Sequence, residues 1–157
     1  MANCTINTPL GVAKIIGDED GVSSVTILNS NEIVSDTIPK ELQDCVYQLQ
    51  EYFNNERKRF RLKLNPQGTD FQKKVWTELQ TIPYGKSISY LEFSKQLGDV
   101  KAIRAVASAN GKNPLWIIVP CHRVLGSDGS LTGYAGGIHR KQWLLEHESL
   151  YKQESLF

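Results

Sequence analysis

No stretch of this sequence approaches the roughly 18 consecutive apolar residues that a membrane-spanning helix needs. The opening MANCTINTPLGVAKIIG has neither a basic start nor a continuous apolar core, so no secretory signal is readable. Cysteine is scarce. Cys4, Cys45 and Cys121 are an odd number at wide spacings, with no C-x-x-C. That fits reduced thiols in a cytosolic compartment better than a disulfide framework. Histidine is scarcer in its distribution: His122, His139 and His147 all fall in the last quarter. A structural zinc site built with Cys4 and Cys45 would have to draw ligands from far along the chain, so neither a metal nor a cofactor is expected. Charge of one sign is also missing overall, with a formal net charge of +1.

What is present is enough for a packed core. The 157 residues are 40% apolar and 22% charged, the composition of one large domain or two small ones. The charge is unevenly spread. Residues 1–67 hold 7 Lys/Arg against 9 Asp/Glu, and residues 68–157 hold 11 against 8. Between Leu79 and Leu125 six bases (Lys86, Lys95, Lys101, Arg104, Lys112, Arg123) face two acids, Glu92 and Asp99. A local basic surplus suits an anionic partner such as nucleic acid.

The first thirty residues alternate and turn (CTINT, PLG, VAKII, GDEDG, VSSVTIL), the pattern of a meander. After Pro39, Leu42, Cys45, Val46, Leu49 and Tyr52 recur at helical spacing. The basic run from Arg57 to Lys63 reads as nucleic-acid contact or, preferably, as a strand edge guarded by charge. Asn65-Pro66-Gln67-Gly68 is the candidate linker, dividing the chain into residues 1–67 and 68–157. From Thr69 the chain reads as mostly helical, with Thr69 or Asp70 as a cap and Phe71, Val75, Trp76 and Leu79 on one face.

Two further helices, joined at Gly98-Asp99, outline a helix-turn-helix, the second running from about Lys101 to Asn110. That second helix is slim: Ala102, Ala105, Ala107, Ser108 and Ala109 are small, and Arg104 is the exception. Reading base edges in the major groove needs Arg, Asn or Gln. A slim helix suits close approach in a narrow groove without sequence preference, or equally tight packing on its neighbours.

The stretch IIVPCHRV carries the chemistry. Trp116 to Val119 reads as a short apolar strand, and Pro120 fixes the backbone before Cys121. A lone cysteine is commonly an inert buried residue. Here His122 and Arg123 follow it, then a Gly-rich segment, and Asn113-Pro114 marks a turn upstream. A thiolate at neutral pH needs a base or positive charge nearby. Adjacent residues of an extended segment point to opposite faces, so a turn or a bridging water must connect Cys121 to His122. His122 in turn needs an orienting carboxylate. Glu148, four positions after Leu144 on the last helix, falls on the inward side and requires a partner there.

The segment NPLWIIVPCHRVLGSDGSLTGYAGGIHRKQWLLEHE resembles the active-site region of the O6-alkylguanine-DNA alkyltransferases, the methylated-DNA–protein-cysteine methyltransferases. TDFQKKVWTELQTIPYGKSISY and KAIRAVASANGKNP are similar to the helices of that family. The resemblance covers residues 68–150 firmly and the first 67 only in layout. It implies an α+β fold, with a small ribonuclease H-like sheet-and-helix domain before a mostly helical, winged-helix-like helix-turn-helix domain. It also implies a single-turnover methyltransferase that moves an alkyl group from guanine O6 of double-stranded DNA onto Cys121, with the base flipped out and O4-alkylthymine a further candidate. A cytoplasmic monomer is expected.

The same resemblance assigns roles. His122 takes the Cys121 proton through a water, Glu148 orients His122, Tyr90 donates to the leaving base, and Asn113 stabilises the turn. Tyr134, Gly136, Val124 and Ser127 line the base pocket. Arg104 fills the gap in the base stack, with Ala102, Ala105 and Ser108 on the groove-entering helix and Lys101, Lys112 and Arg123 in the DNA-binding surface. Three departures stand out: Ala135 replaces a serine of some members, the zinc-binding set of some members is missing, and Trp116 stands where a smaller residue is common. Trp116 therefore either narrows the pocket against bulky adducts or points into the core. The competing readings are a cysteine hydrolase, which turns over, a sequence-reading DNA regulator, which does not need Cys121, and a damage sensor, which should lack it.

Overall fold

The structure is a computed structural model describing residues 1–30, 32–126 and 137–154, with side chains to 149. The chain divides into two compact units: Met1–Gln67 with Pro114–Ile118, and Gly68–Asn113 with the chain from Val119 onward.

The first unit opens with the expected meander, strands β1 (Ala2–Thr8), β2 (Gly11–Asp18) and β3 (Gly21–Ile27), antiparallel in the order β1-β2-β3. Cys4 pairs with Ile15 and Ile6 with Ala13, and all four are buried, so one face of the sheet alternates inward. Helix α1 (Gln43–Phe53), after a 3-10 turn at Lys40–Leu42, buries Cys45, Val46, Gln48, Leu49 and Tyr52. Cys4 and Cys45 are thus core residues, and burial pushes the Cys45 thiol up to about 12.

Gln48 holds the backbone of the basic run that follows. Its amide accepts from Arg61 N (2.9 Å) and donates to Arg61 O (3.1 Å), acting as a strand-like partner for that backbone. Leu64 then bridges in parallel to Val22, while Arg57 pairs with Glu51 at 2.9 Å.

The contiguous division at residue 67 is crossed once. Val25 N donates to Pro114 O (2.8 Å) and Trp116 N to Val25 O (3.1 Å), so the β3 edge captures Pro114–Ile118. The expected strand over Trp116–Val119 does not form. Only Leu115 bridges to β3. Beyond it, Ile118 N bonds back to Trp116 O at 2.8 Å, a γ-turn with Ile117 at φ 70°. A buried β-branched residue at positive φ is strained, on the order of 1–2 kcal/mol.

The second unit is mostly helical. Thr69 caps α2 (Asp70–Leu79) in a reciprocal capping box with Gln72, as the S/T-x-x-E/Q spacing requires. Trp76 Nε1 donates to Ala109 O at 2.8 Å, tying α2 to helix α4 (Ile103–Gly111). Helix α3 (Tyr90–Gln96) is capped by Ser89. A 3-10 turn at Val100–Ala102 precedes α4, which therefore starts two residues later than expected. Strands β4 (Ile88–Ser89) and β5 (Val124–Leu125) form a two-residue parallel ladder. That ladder fixes the start of α3 beside the chain just after Cys121. Helix α5 (Ile138–Glu154) buries Lys141, Leu144 and Glu148, spaced i, i+3, i+7 on one face. Among the described residues no helix is long and apolar enough to cross a membrane.

Candidate active site around Cys121

Pro120, at φ −81° and ψ 64°, is the centre of an inverse γ-turn closed by Cys121 N donating to Val119 O at 2.8 Å. The proline ring fixes φ at a value this turn needs. Cys121–Arg123 then continues as one turn of 3-10 helix. Cys121 and His122 therefore sit in a turn and not in the extended segment that would point them to opposite faces. Asn113, on the loop after α4, donates from Nδ2 to Val119 O at 2.8 Å, holding the same turn from the other side.

Behind the cysteine lies a buried ion cluster. His122 Nε2 is 2.7 Å from Glu148 Oε2. Arg123 Nε donates to Glu148 Oε1 (2.9 Å), Nη2 to Oε2 (3.1 Å) and Nη1 to Ile82 O (2.7 Å). Gly85 N adds a longer bond to Oε1 at 3.4 Å. Such a bidentate fork is the strong form of the Arg–carboxylate pair. Burial alone would push the Glu148 carboxyl up, but His122 and Arg123 outweigh it and hold it well below the usual carboxylate range. Glu148 is therefore an ionised acceptor, and His122 must present Nε2–H to it. Burial lowers the imidazole pKa against the pull of Glu148 and keeps the ring neutral. Nδ1 is left with a free lone pair and has no protein partner among the described residues.

The thiol itself is buried, which raises its pKa; the Asn113 side chain and the charge of Lys141 pull it back down. Lys141 is fully buried, and its Nζ donates to Val124 O at 2.7 Å. Tyr90, at the first turn of α3, is buried with its hydroxyl 3.0 Å from Asn110 Nδ2. Among the described residues no group of three or more His, Cys, Asp or Glu is placed to hold a metal ion.

Cys121, His122, Glu148, Tyr90 and Asn113 are thus gathered in the second unit. Arg104, Ala105, Ser108, Lys101 and Lys112 are exposed on or beside α4, with Ala102 half-buried at its start. Val124 is buried on β5. Ser127, Tyr134, Ala135 and Gly136 lie outside the described residues.

One nomination is corrected. Arg123 is not a DNA contact: it is 6% exposed and its guanidinium is committed to Glu148 and Ile82. Of the two readings of Trp116, burial favours the core: its ring lies 6.3 Å from that of Phe53 within the first unit. Two residues were not singled out from sequence, Lys141 and Asn110. Their positions i−3 to Leu144 and i+4 to Val106 place both on buried helix faces, the signal that could have found them.

Two family models match the chain. The DNA-binding domain of 6-O-methylguanine DNA methyltransferase covers residues 70–150, and its ribonuclease-like domain covers residues 1–66. The chain belongs to this family. A methylated-DNA–protein-cysteine methyltransferase of Methanosarcina acetivorans is 44% identical over 153 residues, spanning 94% of this chain and 98% of that protein. The constitutive one of Bacillus subtilis is 44% identical over 160 residues, spanning 96% and 97%. The crystal structure of Mycobacterium tuberculosis O6-methylguanine methyltransferase matches with TM-score 0.84 at 42% identity, covering 96% of this chain and 94% of that one. Mycobacterium tuberculosis OGT in complex with DNA gives 0.85 at 43%, covering 95% and 93%. This family member therefore joins a ribonuclease-like unit to a DNA-binding unit, and the cluster around Cys121 belongs to the latter.

Proposed function

We propose that this protein repairs DNA by moving a methyl group from guanine O6 to Cys121, once per molecule. The observation that carries the reading is the buried Glu148–His122 pair next to a buried cysteine. It leaves Nδ1 as the one imidazole position able to take a proton.

The chemistry balances with these groups. His122 Nδ1 accepts the Cys121 proton through a bridging water, with Glu148 stabilising the imidazolium that forms. The thiolate sulfur attacks the alkyl carbon. A C–S bond forms, the C–O bond breaks, and its electron pair passes to the guanine. Tyr90 hydrogen-bonds to the ring nitrogen where that charge develops. The product is a thioether, which thiol exchange cannot cleave, so the protein is consumed. The base must leave the duplex to reach a buried thiol. The exposed small face of α4, Ala105 and Ser108 with Arg104 beside them, suits close approach to a minor groove without sequence readout. Lys101 and Lys112 supply phosphate contacts. O4-alkylthymine is a second substrate of the same chemistry, and a cytoplasmic monomer suffices for it.

The test is site mapping. After incubation with a duplex containing O6-methylguanine, the peptide bearing Cys121 should gain one methyl group and those bearing Cys4 and Cys45 none. An unmodified Cys121 peptide, or turnover on an ester by a cysteine hydrolase route, would remove the reading.

A further inference from the structure

Asn110 is the penultimate residue of α4, on its buried face and 1% exposed, where an apolar side chain would be expected. Its Nδ2 lies 3.0 Å from the Tyr90 hydroxyl and 3.4 Å from the Cys121 carbonyl oxygen. A carbonyl oxygen can only accept, so the amide must face this way round, with the nitrogen towards both groups. The Tyr90 oxygen is then an acceptor from Asn110. Its single proton has no partner among the described residues. The opposite amide oxygen, Oδ1, is buried with no partner either. An unsatisfied buried carbonyl is costly, and what the asparagine sets against it is the pair of Nδ2 bonds to Tyr90 and Cys121, which leucine could not make.

We infer that Asn110 is a positioning residue for alkyl transfer: by donating to the Tyr90 oxygen it reserves the hydroxyl proton for the departing base, and by its second bond it sets that hydroxyl relative to the Cys121 backbone. Two physical effects follow from one amide. A hydroxyl that accepts a hydrogen bond becomes a better donor through its own proton. The rotor of the O–H is fixed before the base arrives, so no reorganisation is needed in the transition state. Burial pushes the Tyr90 phenol up, which keeps it protonated as a donor should be, while the Asn110 bond offsets part of that rise. The inference rests on the proposed alkyl transfer and concerns the donor side of it, opposite to the Glu148–His122 side.

Single-turnover transfer from an O6-methylguanine duplex, read as a rate constant so that inactive protein does not count, separates the possibilities. Wild type, Tyr90→Phe, Asn110→Leu, Asn110→Ala and the Tyr90→Phe/Asn110→Leu pair are compared. Both Asn110 variants should be about tenfold slower, the worth of one buried hydrogen bond. The pair should be no slower than Tyr90→Phe alone within about twofold, because Asn110 acts through that hydroxyl. Alkylation of Cys121 by iodoacetamide should be unchanged in Asn110→Leu, and its thermal midpoint should hold or rise. Wild-type transfer rates in both Asn110 variants would overturn the inference. So would a pair slowed by the full product of the two single effects. Absence of transfer in the wild type would instead overturn the reading beneath it.

Discussion

A carboxylate as deeply buried as Glu148 is stable only when its lone pairs are met by donors. His122, both arms of the Arg123 fork and the Gly85 amide meet them. Glu148→Gln removes the charge but keeps the shape, leaving Arg123 buried without its counter-ion. Unfolding in denaturant should show a loss of about 3–5 kcal/mol at neutral pH. The sign with pH is fixed by the shifts. The Glu148 pKa is depressed on folding, so its stabilisation is present above its unfolded value and lost as pH falls towards the folded one. The His122 pKa is also depressed, so acid favours the unfolded chain through that group too, from about pH 6.5 downward. Wild-type stability should therefore fall in acid, and Glu148→Gln should flatten the part of the curve below about pH 4.5. Lys141 acts on the thiol from another side. Lys141→Met keeps the bulk and removes the charge, so the thiol pKa read from the pH dependence of iodoacetamide labelling should rise. Only one half of this cluster was legible in the sequence. Glu148 could be placed inward because it follows Leu144 by one turn. Lys141 occupies the same stripe, but a lysine there reads as solvated, and nothing local announces the carbonyl of Val124 that receives it. Arg123 misled for a similar reason: it is the last base of a basic stretch, and only the fold reveals the carboxylate it serves.

At the scale of elements, α4 has two unlike faces. Val106, Ala109 and Asn110 face inward, and Arg104, Ala105, Ser108 and Lys112 are exposed. The proposed groove approach depends on the outer face staying slim. Ser108→Leu should weaken duplex binding about tenfold or more in a fluorescence titration, since the added bulk holds the helix off the groove. Reaction with the free base O6-benzylguanine should be unaffected, because that substrate needs no duplex. Equal affinities would mean that α4 is not the element that enters. The elements with strong local signals were readable: the meander from its Gly and Pro turns, α2 from Thr69 and Gln72, the helix pair from Gly98. The turn carrying Cys121 was not. Trp116–Val119 has the composition of a strand, yet it is resolved into γ-turns at Ile117 and Pro120, whose i→i+2 bonds leave no residue pattern apart from the proline.

At the scale of the molecule, the chain forms two compact units, and Cys121 lies in the second. That unit also holds the Glu148 cluster, Tyr90 and helix α4. The capture of Pro114–Ile118 by the β3 edge was not legible in the sequence, because a single bridge between distant residues has no local signature. The consequence that most sets this design apart is stoichiometry. In the proposed chemistry, displacement at carbon by Cys121 ends in a thioether, which thiol exchange cannot cleave. The most direct measurement is the number of methyl groups transferred per chain from an excess of O6-methylguanine duplex, followed to completion by intact-protein mass. The expected result is a plateau at one methyl per chain, absent in Cys121→Ser, with guanine restored in the duplex in equal amount. Continued demethylation beyond one equivalent, or a methylated Cys121→Ser protein, would contradict it.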